Sequence, residues 1–265
     1  MAVPEPVGVA GIAYLNARPL LAGLEAGIDA PFSYRFESAE PGTCAQRLAS
    51  GAVGAALVPV ASLPSLPGVQ VHSGLGVACR GAVTSVLLIS KVPPERVATL
   101  AIHRASRSAV TLARLLLTEK FGVRPHLVTV DPPLANMLAN ADATVIIGDP
   151  AMRVAGQTGL CELDLAAAWN DWTGLPFVFA VWALSPVAPT TTSDLLVASH
   201  AHARAHWEEL LTRWAQAHGR TIAEVRTYLE QILHFELNDA DRAGMAEFLR
   251  RAATADVLPT AVSES

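Results

Sequence analysis

The sequence predicts an α/β protein with two lobes. Short β-branched runs alternate with Ala- and Leu-rich helical stretches, a pattern typical of parallel strands joined by crossover helices. The strand-like runs fall into two sets, one before Ser90 and one between Thr99 and Trp182, and the chain from Asp194 onward has only helical patterns. A length of 265 residues suffices for one or two domains with a substantial core.

The individual elements follow from residue type and spacing. Eight runs rich in β-branched and aromatic residues are predicted strands: Val7 to Ala10, Phe32 to Glu37, Ala55 to Val60, Val83 to Ile89, Thr99 to His103, His126 to Val130, Thr144 to Ile147 and Phe177 to Trp182. Apolar residues three and four apart predict helices over Thr43 to Ser50 and Ser108 to Phe121. Farther on, Thr221 with Glu224 forms a capping box, and Asn238 opens the last helix.

The two strand sets predict the domain boundaries. Lobe one is expected to contain residues 1–89 and 185–265, because the C-terminal helices return to cover the first strand set. Lobe two is expected to contain residues 90–184. This arrangement crosses between lobes twice and predicts a ligand cleft between them, where the carboxyl ends of strands meet.

Composition excludes several classes of function. The chain is 51% hydrophobic, has a mean hydropathy of +0.35, and is only 16% charged. Its longest apolar run, Pro176 to Leu184, is about half of the roughly 18 residues that a membrane-spanning helix requires, so no membrane partner is predicted. A net charge of −5 offers no surface for tracking phosphates, which argues against nucleic acid.

Location and cofactors are predicted from absent signals. The first residues lack a basic segment and an apolar core before a cleavage site, which predicts a cytoplasmic protein. Three widely spaced cysteines, Cys44, Cys79 and Cys161, argue against disulfides and a zinc site, and are expected to be small buried side chains. Phosphate-binding glycine loops and a zinc-binding His-Glu-x-x-His motif are missing, so neither cofactor nor metal is predicted.

Two polar segments stand at the ends of predicted strands. Tyr14, Asn16 and Arg18 follow the first strand and enter the first helix, where an Asn amide offers both a donor and an acceptor to a ligand. The alternative is a capped helix with Tyr14 in the core. Thr84 and Ser85 lie in an apolar run that leads to the first expected crossing between the lobes, and the alternative is that their hydroxyls merely fill the strand.

A third segment combines hydroxyls with a guanidinium. Ser106, Arg107, Ser108 and Ala109 stand between a predicted strand and an amphipathic helix. Free N–H groups at a helix start, together with hydroxyls and Arg, can bind a carboxylate or a phosphate. The alternative is a plain serine N-cap with Arg107 in solvent.

A fourth segment runs from a strand into Gly148 and Asp149, and Asp149 is either a helix cap or a cleft residue. The aromatic stretch from Asp164 to Trp182 is dense enough to line a cavity, although filling a core is the better prediction for most of its side chains.

These segments together resemble the menaquinone-biosynthesis chorismate dehydratase family. The similarity spans nearly the whole chain, and the order and spacing of its parts make it specific. It is carried by the following segments: Tyr14 to Leu20, Ala56 to Val60, Ser106 to Ser108, Ile147 to Asp149, Trp169 to Trp182, Leu233 to Leu237 and Met245 to Phe248.

The resemblance implies a periplasmic-binding-protein-like type 2 fold in a cytoplasmic enzyme of the futalosine route to menaquinone. It implies removal of water from chorismate, a dianion, to give 3-[(1-carboxyvinyl)oxy]benzoate without metal or organic cofactor. The family's active-site Asn and Ser fall on Asn16 and Ser85. Where relatives commonly carry a second Thr-Ser pair, this chain has Ser108 and Ala109, so one hydroxyl contact is lost while the backbone N–H of Ala109 remains.

Two other functions stay open at this point. A cytoplasmic protein that only binds small carboxylates would use the same fold. The second is the related lyase that acts later on cyclic dehypoxanthine futalosine. Its similarity to this chain is weaker at Tyr14 to Leu20, and it is expected to have a histidine in the cleft, where the candidate segments of this chain show none. The expected partner is a small-molecule substrate alone, and the expected state is a monomer or homodimer.

Overall fold

The computed structural model describes residues 5–103 and 106–259. Its strands are β1 (Val7–Ile12), β2 (Tyr34–Ala39), β3 (Ala55–Pro59), β4 (Gln70–Cys79), β5 (Val86–Ser90), β6 (Thr99–Ile102), β7 (His126–Thr129), β8 (Ala143–Ile147), β9 (Cys161–Asp164), β10 (Phe177–Leu184) and β11 (Leu233–Glu236). Its α-helices are α1 (Arg18–Ala26), α2 (Pro41–Ala49), α3 (Arg107–Leu115), α4 (Leu134–Asn140), α5 (Gly148–Val154), α6 (Leu165–Thr173), α7 (Thr192–Ala205), α8 (Trp207–His218), α9 (Ile222–Arg226) and α10 (Asp239–Thr254).

The described chain divides into two compact units, which differ in their boundaries from the predicted lobes. Unit 1 contains residues 5–77 and 180–237, and unit 2 contains residues 78–103, 106–179 and 238–259. The chain therefore changes unit within β4 and β10 rather than near residues 90 and 185. It changes again after Leu237, which assigns α10 to unit 2 instead of lobe one.

Packing explains the assignment of α10. Phe248 of this helix lies edge-on to Trp169 and Phe177 of unit 2, with ring centroids 6.0 and 5.0 Å apart. Gly244 lies so close to the backbone of Pro176 that an added Cβ would meet its carbonyl oxygen at 2.2 Å. These contacts join segments that are far apart in the chain, so periodicity alone could not assign the helix.

The sheet of unit 1 has six strands in the order β11-β4-β10-β3-β1-β2. β1 pairs in parallel with β2 and β3, as the alternating pattern predicted. β10 runs antiparallel to β3, with Trp182 opposite Leu57. Because β10 enters this sheet directly from unit 2, no crossover helix sets its direction.

The sheet of unit 2 has five strands in the order β7-β6-β8-β5-β9. β6 is parallel to β7 and β8, whereas β5 runs antiparallel to β8 and β9. Both sheets are therefore mixed, and the prediction of parallel strands was wrong for β5 and β10. The α/β class itself is confirmed.

Three strands were missed by the pattern analysis. β4 contains two glycines, and β9 has only four residues, so both give weak signals. β11 interrupts a region that was predicted to be all helical, although Leu233 and Phe235 are buried and alternate with more exposed residues. That alternation was the available signal.

The aromatic stretch fills a core, as predicted for most of its members. Trp169 and Phe177 are almost fully buried, and Phe179 lies against Phe177 with ring centroids 4.9 Å apart. The indole N–H of Trp169 donates to the carbonyl of Pro176 at 3.1 Å. Each edge-on ring pair contributes about 1 kcal/mol beyond the burial of its area.

Local signals at the C-terminal helices are confirmed. Thr221 and Glu224 form the predicted capping box, and Asn238 caps α10. Cys44 and Cys79 are buried as expected, but Cys161 is exposed at the start of the edge strand β9, so that prediction was wrong for one cysteine. Among the residues that the structure describes, no helix combines the length and apolarity needed to cross a membrane.

Candidate functional site

Three chain segments meet at one edge of the unit 2 sheet. β6 and β8 are parallel neighbours, so their carboxyl ends share an edge, and the antiparallel β5 brings its amino end there. The sheet therefore collects eight predicted site residues at this edge: Thr84 and Ser85 before β5, Ser106, Arg107, Ser108 and Ala109 after β6, and Gly148 and Asp149 after β8.

Ser85 and Gly148 are directly linked. The backbone N–H of Gly148 donates to the carbonyl of Ser85 at 2.7 Å, which extends the pairing of β5 with β8 by one step. Gly148 has a φ of +63°, so the chain turns sharply as it leaves β8. Ser85 is fully buried, and its position is therefore set by the backbone on both sides of it.

The residue before Ser85 has a strained backbone. Thr84 has a φ of +60°, in the left-handed region that β-branched residues rarely adopt. This conformation costs on the order of 1–2 kcal/mol and persists only where the surroundings hold it. Its hydroxyl donates to the carbonyl of Val83 at 2.7 Å, so the Thr84 side chain is bonded to its own loop.

Asp164 holds this strained loop. Its Oδ2 accepts hydrogen bonds from the backbone N–H groups of Val83 at 2.8 Å and Thr84 at 2.6 Å. Its Oδ1 accepts from the N–H groups of Ala166 and Ala167, both at 3.0 Å, and so caps α6. One carboxylate thus joins the start of α6 to the loop before Ser85.

Sequence reasoning missed the role of Asp164. An Asp directly before an Ala-rich helix is an N-cap signal, so its first oxygen could have been assigned. Nothing local indicates the second oxygen, because Val83 and Thr84 lie 81 and 80 residues away in the chain.

Arg107 begins α3, and the structure gives it no ion pair with a carboxylate of the described residues. Its Nη1 atom is buried and has no hydrogen-bond partner among the described residues. Burial lowers the pKa of this guanidinium. A bound anion would offset the desolvation of the guanidinium. The burial of Nη1 therefore favours carboxylate binding by Arg107 over the alternative in which Arg107 lies in solvent.

The neighbours of Arg107 have different surroundings. Ser106 is buried at the N-cap position of α3, yet its side chain makes no capping hydrogen bond, unlike the plain serine cap considered above. The Ser108 hydroxyl donates to the carbonyl of Phe179 at 3.0 Å, and Ala109 is buried beside it. Asp149 lies in the first turn of α5.

The remaining predicted residues belong to unit 1. Tyr14, Asn16 and Arg18 follow β1, and Asn16 lies in a short 3-10 turn before α1. The Asn16 amide oxygen is buried and has no partner among the described residues. A buried acceptor without a donor is costly, so this oxygen is available to a ligand hydroxyl or N–H.

Arg18 holds the segment that carries Asn16. Its Nη2 donates to the carbonyl of Ala13 at 3.2 Å, and its Nη1 forms an ion pair with Glu25 on the same helix. Arg18 was predicted to bind substrate. In the structure Nη1 and Nη2 bind α1 and the turn after β1, while Nε is buried without a hydrogen-bond partner among the described residues, so substrate binding by Arg18 stays a prediction.

The described residues contain no group of three or more His, Cys, Asp or Glu side chains arranged to hold a metal ion. A cavity of about 560 Å³ in unit 1 is lined by residues between Leu24 and Phe36. It is open to solvent and shares no residue with the candidate site.

The chain has the periplasmic-binding-protein-like fold, which is shared by a class of proteins built from two α/β units. A protein from Archaeoglobus fulgidus has a similar structure, with a TM-score of 0.75 at 14% identity, covering 95% of this chain and 98% of that one. A Candida albicans protein, described as having the generic periplasmic binding protein fold, has a TM-score of 0.66 at 12% identity, covering 99% and 92%. The predicted fold is confirmed.

The chain belongs to the menaquinone biosynthesis family, whose profile matches residues 7–254. A chorismate dehydratase from Thermus thermophilus is 29% identical over 235 residues, covering 81% of this chain and 85% of the relative. The family that the sequence segments predicted is confirmed.

Proposed function

We propose that this chain is a chorismate dehydratase of menaquinone biosynthesis. The observation that carries the proposal is the match to the Thermus thermophilus chorismate dehydratase over most of both chains, within a family that covers residues 7–254. The buried Nη1 of Arg107, which has no hydrogen-bond partner among the described residues, supports it, because chorismate carries two carboxylates.

The reaction removes one water from the substrate. The ring C–O bond to the hydroxyl breaks, the hydrogen leaves the ring carbon that bears the enolpyruvyl ether, and a new C=C bond completes the aromatic ring. Aromatisation supplies much of the driving force. The protein must therefore add orientation, hydrogen bonds to the departing hydroxyl and a route for the proton.

The named residues suit these tasks. Arg107, at the start of α3, would bind one substrate carboxylate through a charge-assisted hydrogen bond. Asn16 and Ser85 would hold the departing hydroxyl and the enolpyruvyl carboxylate in register. The four polar segments that carry the predicted site residues contain neither His nor Glu, so a substrate carboxylate is the proposed base; they are Tyr14 to Arg18, Thr84 to Ser85, Ser106 to Ala109 and Gly148 to Asp149.

Turnover of chorismate tests the proposal directly. Purified protein is incubated with chorismate without added metal or nucleotide, and the products are analysed by mass spectrometry and ultraviolet absorbance. Loss of one water with a new aromatic spectrum is expected. Unchanged chorismate that binds tightly would favour a binding protein, and neither binding nor turnover would favour the later lyase of the same pathway.

Two variants test the residue roles. Asn16→Asp puts a negative charge where a dianion is to bind, and Ser85→Ala removes a hydroxyl, so each should lower kcat/KM about 10²- to 10³-fold. Asn140→Asp and Ser50→Ala are matched controls at exposed positions, the last residue of α4 and the C-cap of α2. Turnover of both site variants within a few-fold of the parent would show the assignment to be wrong.

The pathway and location complete the proposal. We propose the futalosine route and a cytoplasmic location, as the resemblance implies, with a monomer or homodimer as the working state. Detection of futalosine intermediates in cells that depend on this chain would support the route.

A further inference from the structure

We infer that Asp164 is a positioning residue for the reaction, because it holds Thr84 in a left-handed conformation and thereby orients Ser85. The inference rests on the proposed function, and it concerns a residue outside the predicted site. Asp164 would not contact the substrate; it acts through the loop that precedes Ser85.

The geometry shows more than a plain helix cap. The Asp164 carboxylate binds both the start of α6 and the backbone of Val83 and Thr84, an arrangement called here the Asp164 clamp. A cap needs one oxygen, and Oδ1 serves both N–H groups at the start of α6. Oδ2 is committed to Val83 and Thr84, and the bond to Thr84 is the shortest of the four at 2.6 Å. Charge-assisted bonds of this length are strong enough to hold a backbone in a region that it would otherwise leave.

The orientation of Ser85 depends on the backbone of Thr84 before it and on the pairing of Ser85 with Gly148. Its carbonyl accepts from Gly148, so its own backbone is paired with β8. If Thr84 relaxed to a negative φ, the chain direction into Ser85 would change, and its hydroxyl would leave the position that the pairing defines. A displacement of about 1 Å at a reacting group can lower turnover 10²-fold.

Asp164→Ser separates the two tasks of the carboxylate. Ser is as good an N-cap as Asp, so α6 keeps its cap, whereas the shorter side chain cannot reach Val83 or Thr84. Asp164→Asn is a second variant of nearly unchanged size, in which the amide can accept toward only one of the two segments.

Asp142 provides a matched control in the same unit. Its Oδ2 accepts from the N–H groups of Ala98 at 3.0 Å and Thr99 at 2.9 Å, so it also holds a strand start. It precedes β8, however, at the sheet edge opposite to Gly148. Asp142→Ser should destabilise unit 2 to a similar extent and leave kcat/KM within about twofold.

The experiment is a double-mutant cycle with Thr84→Gly, measured by kcat and KM for chorismate in the full chain. Glycine adopts a positive φ without a steric penalty, so the loop no longer needs the clamp. Asp164→Ser should lower kcat about 10- to 100-fold alone, but less than threefold in the Thr84→Gly background. Amide exchange at residues 83 and 84 should also accelerate at least tenfold in Asp164→Ser.

The outcomes are distinguishable. A parent protein without turnover would refute the proposed function itself. If the parent is active, two results would refute the positioning role alone. One is an equal loss of kcat for Asp164→Ser in the parent and Thr84→Gly backgrounds, and the other is a loss of kcat for Asp142→Ser as large as that for Asp164→Ser. Unchanged amide exchange at residues 83 and 84 would refute the clamp.

Discussion

The contact between α1 and α7 predicts an unusual result for Gly23→Ala. Gly23 lies in the middle of α1, where Ala is normally the more stable residue by about 1 kcal/mol. Here a Cβ would lie 2.5 Å from the Cα of Ser199 on α7, well inside ordinary van der Waals contact. The helix propensity and the packing therefore predict opposite signs.

Packing should win. The two helices would have to separate by about 1 Å to restore normal contact, and overpacking of this kind costs about 2 kcal/mol. The same shift weakens the bonds of the Ser199 hydroxyl, which donates to Leu20 at 2.9 Å and accepts from Leu24 at 3.1 Å, with a loss of about 1 kcal/mol. After the gain in propensity, the net loss of unfolding free energy is about 2 kcal/mol.

Urea denaturation of the parent and the Gly23→Ala variant measures this difference. Gly74→Ala is the matched control, because its added Cβ would meet only the ring of His72 at 3.5 Å. Chorismate turnover should also fall about tenfold in Gly23→Ala, since α1 begins directly after the turn that carries Asn16. An increase in stability of about 1 kcal/mol would refute the packing argument and leave propensity as the only effect.

Two further predictions concern titratable groups. Hydrogen bonds from Arg250 and Arg251 lower the pKa of Glu247 to about 2, so its stabilising effect is complete above pH 5 and is lost as the pH falls toward 2. Glu247→Gln should therefore flatten the dependence of unfolding free energy on pH in this range, and an unchanged slope would contradict it. Iodoacetamide should label Cys161 in the folded protein but spare Cys44, where burial raises the thiol pKa to about 12; peptide mass spectrometry would show labelling at both positions if this reasoning is wrong.

The predictions of candidate site residues rest on local signals. Polar residues at strand ends and helix starts, such as Asn16, Ser85 and Arg107, stand out against apolar runs on either side. Two of these predictions needed the structure for their interpretation. Arg107 has a buried Nη1 without a partner among the described residues, whereas Nη1 and Nη2 of Arg18 contact Glu25 and Ala13.

The parts that could not be predicted depend on contacts between distant segments. The bonds of Asp164 to Val83 and Thr84 join residues about 80 apart, and neither end has a pattern that points to the other. The same holds for α10, whose apolar spacing indicates a buried face but not the neighbour that covers it.

The sequence by itself determined the α/β class, the family, most element positions and the segments that reach the sheet edges, because these depend on periodicity, caps and short motifs within a few residues. Only the tertiary structure decided the unit boundaries, the antiparallel direction of β5 and β10, and the clamp that sets the backbone before Ser85. These features arise from packing and hydrogen bonds between segments that the chain connects only through long intervening stretches. The pattern of residues within one segment does not identify which distant segment it contacts.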